Sequence, residues 1–128
     1  MGGTLNGGGA LYMQIAALLE DQILRGILPE DEQAPSTNEL SRQLCINPAT
    51  AAKGLNMLVE EGVLYKKRGL GMFVAAGSRQ RILDRRKERF YEGYVKRMAA
   101  EARSLGITRE ELAAMIERAA GEEKEETP

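Results

Sequence analysis

The sequence holds no histidine and a single cysteine, Cys45, in 128 residues. Without an imidazole there is no histidine general base, no Ser/His/Asp or Cys/His nucleophile system and no His-ligated metal. One thiol forms neither an intrachain disulfide nor a multi-Cys zinc site. The expectation is a protein with no catalytic residues, no metal and no cofactor. Aromatic side chains are scarce, with four Tyr, two Phe and no Trp, which leaves little to stack on unpaired bases. An excess of one charge is missing as well: 18 Lys and Arg stand against 19 Asp and Glu, a net charge of −1. Any nucleic-acid surface must then be a local basic patch rather than the whole molecule.

No stretch comes near the roughly 18 to 20 consecutive apolar residues that span a bilayer. The opening residues 1–9 hold five Gly and lack the basic flank and apolar run of a secretory signal. They are read as a flexible arm, and the protein as cytoplasmic, without membrane contact. Cys45 is read as a buried structural thiol in a reducing compartment. The length allows one domain of ordinary size with a helical appendage and excludes a large catalytic or effector domain.

What is present is a regular series of helix signals. Leu11, Ile15, Leu18, Leu19 and Ile23 recur at three- and four-residue steps, and Gly26 follows as a stop, predicting a helix over 11–25. Ser36 stands three residues before Glu39, a capping box, so a second helix runs over 37–44 with Leu40 and Leu44 inward. Asn47-Pro48 pairs a favoured N-cap with proline at the first helical position; Ala51, Leu55, Leu58 and Val59 mark the buried side of the third helix, and Gly62 closes it. Strands are predicted over 63–67 and 72–75, joined by Arg68-Gly69-Leu70-Gly71. The fold class is mainly α with a small β-hairpin, in the order of a winged helix-turn-helix over 10–76. A long helix follows, with Ile82, Leu83, Phe90, Tyr91, Tyr94, Val95, Met98, Ala102 and Leu105 as its apolar stripe. Gly106 ends it. Thr108 and Glu111 form a second capping box, with Ile107 and Leu112 as a hydrophobic staple and Leu112, Met115, Ile116 and Ala119 as the next apolar face. Residues 77–120 are read as a two-helix segment and 121–128 as a solvated, frayed acidic tail.

Charge is unevenly placed: the net is −5 over 1–41, +3 over 42–75, +5 over 79–103 and −4 over 104–128. The basic part of the first domain is thus its third helix and hairpin. Asn47, Ala49, Thr50 and Lys53 lie in the first two turns of that helix, the part that enters a major groove. A hydroxyl beside unpaired backbone N–H groups suits a phosphate, and Lys53 can reach a phosphate or a guanine edge. The bland alternatives are back-bonding of Thr50 within its helix and a solvated Lys53. Ser36, Thr37 and Asn38 open the second helix and offer the same kind of donor, although Ser36 also serves as a plain cap. Lys66, Lys67 and Arg68 beside Gly69 put three charges on a hairpin tip able to approach a DNA backbone closely.

These elements resemble the GntR family of bacterial transcription regulators over about residues 10–76. The resemblance rests on Ile23-Leu24-Arg25-Gly26, Pro35-Ser36, Ile46-Asn47-Pro48-Ala49-Thr50, Glu61-Gly62-Val63-Leu64-Tyr65 and Gly69-Leu70-Gly71-Met72-Phe73-Val74. Tyr12-Met13-Gln14-Ile15, the Asn-Pro-x-Thr run and the short helical tail look most like the YtrA-like subfamily, which implies homodimers paired through the C-terminal helices. Three positions depart from the family pattern: Asn38 replaces a base-reading Arg, Cys45 a Gly in the turn, and Ala51 the apolar residue after Thr. Asn suits adenine where Arg suits guanine, so the family's usual operator does not carry over.

The function expected is a sequence-specific regulator of transcription, a repressor, that binds double-stranded DNA as a homodimer on a two-fold symmetric operator. One long and one short helix cannot bury both apolar faces alone, so Leu83, Phe90, Tyr91, Tyr94, Val95, Met98, Ala102, Leu105, Leu112, Met115 and Ile116 are assigned to the dimer interface. The competing reading is a winged-helix module that binds RNA or a protein through its C-terminal helices. Whether a small effector exists is open; Tyr91, Tyr94 and Arg97 would be its place, with helix packing the simpler account of that stripe.

Overall fold

Helix α1 spans Leu11–Leu24, and its core stripe is Ile15, Leu19 and Ile23 at four-residue steps, joined by Ala16. A computed structural model of the chain describes residues 10–126; the expected arm 1–9 and the last two residues of the expected tail lie outside the described residues. Leu11 is exposed and Leu18 half-buried, so both sit at the margin of the stripe. Three helix ends share one device. The N–H of the residue after Gly26, Gly62 and Gly106 bonds a carbonyl five residues back, Ile27 to Gln22, Val63 to Leu58 and Ile107 to Ala102, while each Gly holds a positive φ of 74 to 78°. This arrangement satisfies orphan carbonyls at a left-handed residue that a side chain would strain.

Helix α2 is Thr37–Leu44 and helix α3 is Pro48–Glu60. Their caps are made as the residue types predict: Ser36 and Glu39 exchange bonds of 2.8 and 3.1 Å, and Asn47 accepts from the Ala49 N–H at 2.7 Å. Leu40, Ala51, Leu55 and Leu58 join the core of α1. Burying Leu55 and Leu58 contributes about 1.5–3 kcal/mol each.

Strands β1, Leu64–Lys67, and β2, Gly71–Val74, pair antiparallel with Tyr65 opposite Phe73 and Lys67 opposite Gly71. The loop residues 31–34 add a further extended segment along β2. Asp31 N–H donates to Val74, Val74 N–H to Glu32 and Ala34 N–H to Met72, all at 2.8–3.0 Å, with Gln33 bridged to Phe73.

Helix α4, Ser78–Phe90, begins inside the core of the first unit, with Ser78 and Ile82 fully buried. Ile82, assigned from its spacing to the C-terminal stripe, is a core residue of the head. Arginines fasten the helix there. Arg79 donates to the Leu24 carbonyl at 2.6 Å, Arg81 to the Gly62 and Ala76 carbonyls at 3.0 and 3.1 Å, and Arg85 pairs with Glu61 at 3.8 Å.

The described residues form two compact units that divide between Arg85 and Arg86. In the second, the long helix is not uninterrupted: a π-helical stretch, Tyr91–Val95, separates α4 from α5, Lys96–Ser104. It surrounds Gly93, a weak helix former, with the Phe90 and Tyr94 rings 5.5 Å apart. Helix α6, Arg109–Glu126, starts at the predicted Thr108–Glu111 box. It runs past Gly121, so residues 121–126 are helical rather than a frayed tail; an Arg118–Glu122 pair at 3.8 Å spans that glycine.

Helices α1 and α3 meet at Gly54, where an added Cβ would lie 3.0 Å from the Tyr12 carbonyl oxygen and 3.1 Å from Ile15 Cγ2. Gly54→Val should therefore destabilise the protein by about 1–3 kcal/mol through overpacking. Urea unfolding should show a lower midpoint at unchanged slope.

Candidate nucleic-acid interface

The turn between α2 and α3 is built on Cys45, which has φ of +56° and ends α2 in the left-handed conformation. That conformation is one that glycine, the residue the resemblance implies here, adopts without strain. Cys45 is exposed, contrary to the expectation of a buried thiol, because a left-handed cap turns its side chain out of the helix end. Ser41 Oγ closes the turn by donating to the Ile46 carbonyl at 2.6 Å.

The turn leads into the start of α3. Asn47, Ala49 and Lys53 are exposed there and Thr50 is half-buried. The N-terminus of α3 does not offer the spare N–H groups expected from sequence. Pro48 has none, the Ala49 N–H goes to the Asn47 side chain, and the Thr50 and Ala51 N–H groups go to the Asn47 carbonyl. Spare donors lie instead at α2: the Glu39 N–H is taken by Ser36, whereas among the described residues the Thr37 and Asn38 N–H groups have no acceptor. Ser36 and Asn38 are exposed.

Lys53 is not a freely solvated lysine. Its Nζ sits 4.2 Å from the centre of the Tyr12 ring, a contact worth about 0.5–1 kcal/mol at an exposed site. Sequence reasoning names Tyr12 only within the Tyr12-Met13-Gln14-Ile15 run and gives it no part in the interface, because nothing in the spacing of α1 points to a lysine 41 residues further on. Lysine and ring are brought together by the close approach at Gly54.

On the hairpin, Lys66, Lys67, Arg68 and Gly69 are all exposed. The Leu70 N–H bonds the Lys67 carbonyl at 2.9 Å, and Gly69 has φ of +77°. With Arg68 at negative φ, this is the pattern of a type II turn, which requires glycine at its third position. Lys67 Nζ lies 4.5 Å over Phe73 and 5.9 Å over Tyr65, whose rings stack at 5.9 Å. The Tyr65 hydroxyl donates to Asp31 at 3.1 Å. Desolvation, reinforced by that carboxylate, pushes the Tyr65 phenol above its usual range, so it stays neutral and keeps donating throughout the neutral range.

In the second unit, Phe90, Tyr91, Tyr94, Met98, Leu105, Met115 and Ile116 are exposed. Val95 and Leu112 are half-buried, Ala102 is buried at the α5–α6 corner and Leu83 lies half-buried in the first unit. An apolar groove of about 310 Å³ runs between α5 and α6, floored by Ala102 and edged by Met98, Leu105 and Met115. Among the described residues no group of His, Cys, Asp or Glu could hold a metal, and no helix is long and apolar enough to cross a membrane.

Three helices packed on one core with a basic hairpin beside the third define a winged helix-turn-helix, an architecture of DNA-binding regulators. Residues 11–74 match the family described as bacterial regulatory proteins, gntR family. The chain belongs to the GntR family. It is 30% identical over 106 residues to the transcriptional regulator YhcF of Bacillus subtilis, covering 80% of this chain and 83% of that one. The repressor YtrA of the same organism is 26% identical over 102 residues, covering 80% and 78%. A GntR-family transcriptional regulator from Bacteroides thetaiotaomicron superposes with a TM-score of 0.75 at 32% identity, over 89% of this chain and 99% of that one. The fold and these relatives are those of DNA-binding transcription regulators, not of enzymes.

The strained turn gives a direct test. Cys45→Gly removes a side chain from a left-handed residue and should raise stability by about 0.5–1 kcal/mol, net of the greater freedom of glycine in the unfolded chain. In the unmutated protein, Cys45 should react with a thiol reagent without unfolding.

Proposed function

We propose that this DNA-binding regulator works as a homodimeric, cytoplasmic repressor on a two-fold symmetric operator. The observation that carries the reading is the apolar face of the second unit, where Phe90, Tyr94 and Leu105 are 59, 65 and 69% exposed beside an open apolar groove. An apolar face of this extent on a small regulator marks an interaction surface, and a second copy of the same chain covers it with closed symmetry. Two copies present two reading heads, so the operator carries two related half-sites, about 34 Å apart when spaced by one DNA turn.

In each head, the start of α3 supplies Asn47, Ala49, Thr50 and Lys53 to a major groove, with Asn47 and Lys53 as its polar reach toward base edges. The Ser36–Asn38 end of α2 meets a phosphate through its free N–H groups. The hairpin brings Lys66, Lys67 and Arg68 against the backbone or the minor groove. Occupancy of the operator blocks transcription; the related YtrA is itself named a transcriptional repressor.

Light scattering at micromolar concentration should give twice the 14.1 kDa of one chain; a monomer would refute the dimer. Selection from random duplex DNA should return a two-fold symmetric site. On that site log Kd should depend steeply on log salt, and Lys67→Ala should shallow the slope by about one for each phosphate that the lysine neutralises. An unchanged slope would remove Lys67 from the interface.

A further inference from the structure

We propose that Gln33 is a positioning residue for the DNA-contacting hairpin: its carboxamide sits in the place of the missing Gly71 side chain and holds the hairpin tip, with Lys67, in one orientation. The inference rests on the DNA-binding reading of the hairpin and concerns a residue outside every element assigned to that contact.

Three independent features converge on this side chain. First, Gln33 Nε2 donates to the Leu70 carbonyl at 2.7 Å, a bond between residues 37 apart in sequence. Leu70 is the last residue of the tip, and its own N–H is already tied to Lys67. The tip is thus fixed from inside by the turn and from outside by Gln33. Second, a Cβ built on Gly71 would lie 2.6 Å from Gln33 Nε2. Gly71 has φ of +124°, so glycine here serves both the backbone and the space that the amide fills.

Third, the pairing places everything on one face. Gln33 is opposite Phe73 and Phe73 is opposite Tyr65, forming one rung; Gly71 is opposite Lys67, two rungs along and the next on the same face. Side chains two residues apart on a strand share a face, so Gln33, Phe73, Tyr65 and Lys67 lie together. Lys67 reaches back along that face, its Nζ 4.5 Å over the Phe73 ring, and the Gln33 amide fills the place of a side chain on Gly71, the residue paired with Lys67. A two-stranded hairpin alone is marginal in water. Backbone bonds from Asp31 and Ala34 hold the base of β2, and the Gln33 side chain extends that support to the tip, beyond the last rung those backbone bonds reach. A pre-ordered tip spends no binding energy on being ordered against DNA.

The test is Gln33→Met, which keeps length and removes the donor without adding charge at an exposed position. With the full-length protein and its selected duplex, Kd should rise by about three- to tenfold, the range for removing one hydrogen bond. The thermal midpoint should fall by a few degrees only, as the loss of one hydrogen bond predicts, and amide exchange at Leu70 and Gly71 should quicken in the free protein. The decisive arm is the double-mutant cycle: on a Lys67→Ala background, Gln33→Met should cost less than twofold, because the residue acts through that lysine. An unchanged Kd, or the full effect persisting on the Lys67→Ala background, would overturn the positioning role. If the unmutated protein bound no duplex, the DNA-binding reading of the hairpin would fall, and this inference with it; duplex binding unaffected by Gln33→Met would overturn the inference alone.

Discussion

The head depends on how near α1 and α3 come to one another. At Gly54 the backbone of one helix lies against the Tyr12 carbonyl and Ile15, a separation that no side chain would permit without displacement. That approach closes the core around Ile15, Leu55 and Leu58. It also sets the Tyr12 ring under the Lys53 ammonium. A packing constraint in the interior thereby shapes the posture of a cation on the surface proposed to meet DNA. Protein interiors pack at crystal density and deform little, so the posture is inherited from the core and does not await a ligand.

Local rules read most of the helices correctly because their signals are short-range. Ser36 with Glu39, Asn47 with Pro48, and Thr108 with Glu111 each declare a helix start within four residues, and the glycines at 26, 62 and 106 declare the stops. What stays hidden depends on partners far away in sequence or on a choice between similar local states. Gln33 meets Leu70 across the fold, and Ile82 joins a core whose other members precede it by up to 67 residues. The π-helical stretch at Tyr91–Val95 differs from an α-helix by one residue in a turn, a distinction that apolar periodicity does not resolve. Cys45 departs from expectation for a different reason: cysteine's usual preference for the interior yields to a turn geometry that any residue in its place must adopt.

The candidate interface is legible in outline, through basic residues beside Gly69 and polar residues at two helix starts, and less so in its chemistry. Proline and the Asn47 cap consume the donors of α3, so that helix end is better suited to presenting side chains than to gripping an anion. The α2 end keeps two, on Thr37 and Asn38. Two helix termini that look alike in sequence thus have different capacities, and capping decides between them.

The border between the two units falls within a helix. Ile82 and Ser78 are core residues of the head although they follow the hairpin, and Arg79, Arg81 and Arg85 tie the same turns to the ends of α1 and α3. The module that travels as a folding unit is therefore longer than the region matched by the family, which stops at residue 74. A head transplanted onto another regulator at that point would open its own core where Ile82 belongs; one carried through Arg85 would bring along the first turns of whatever helix follows.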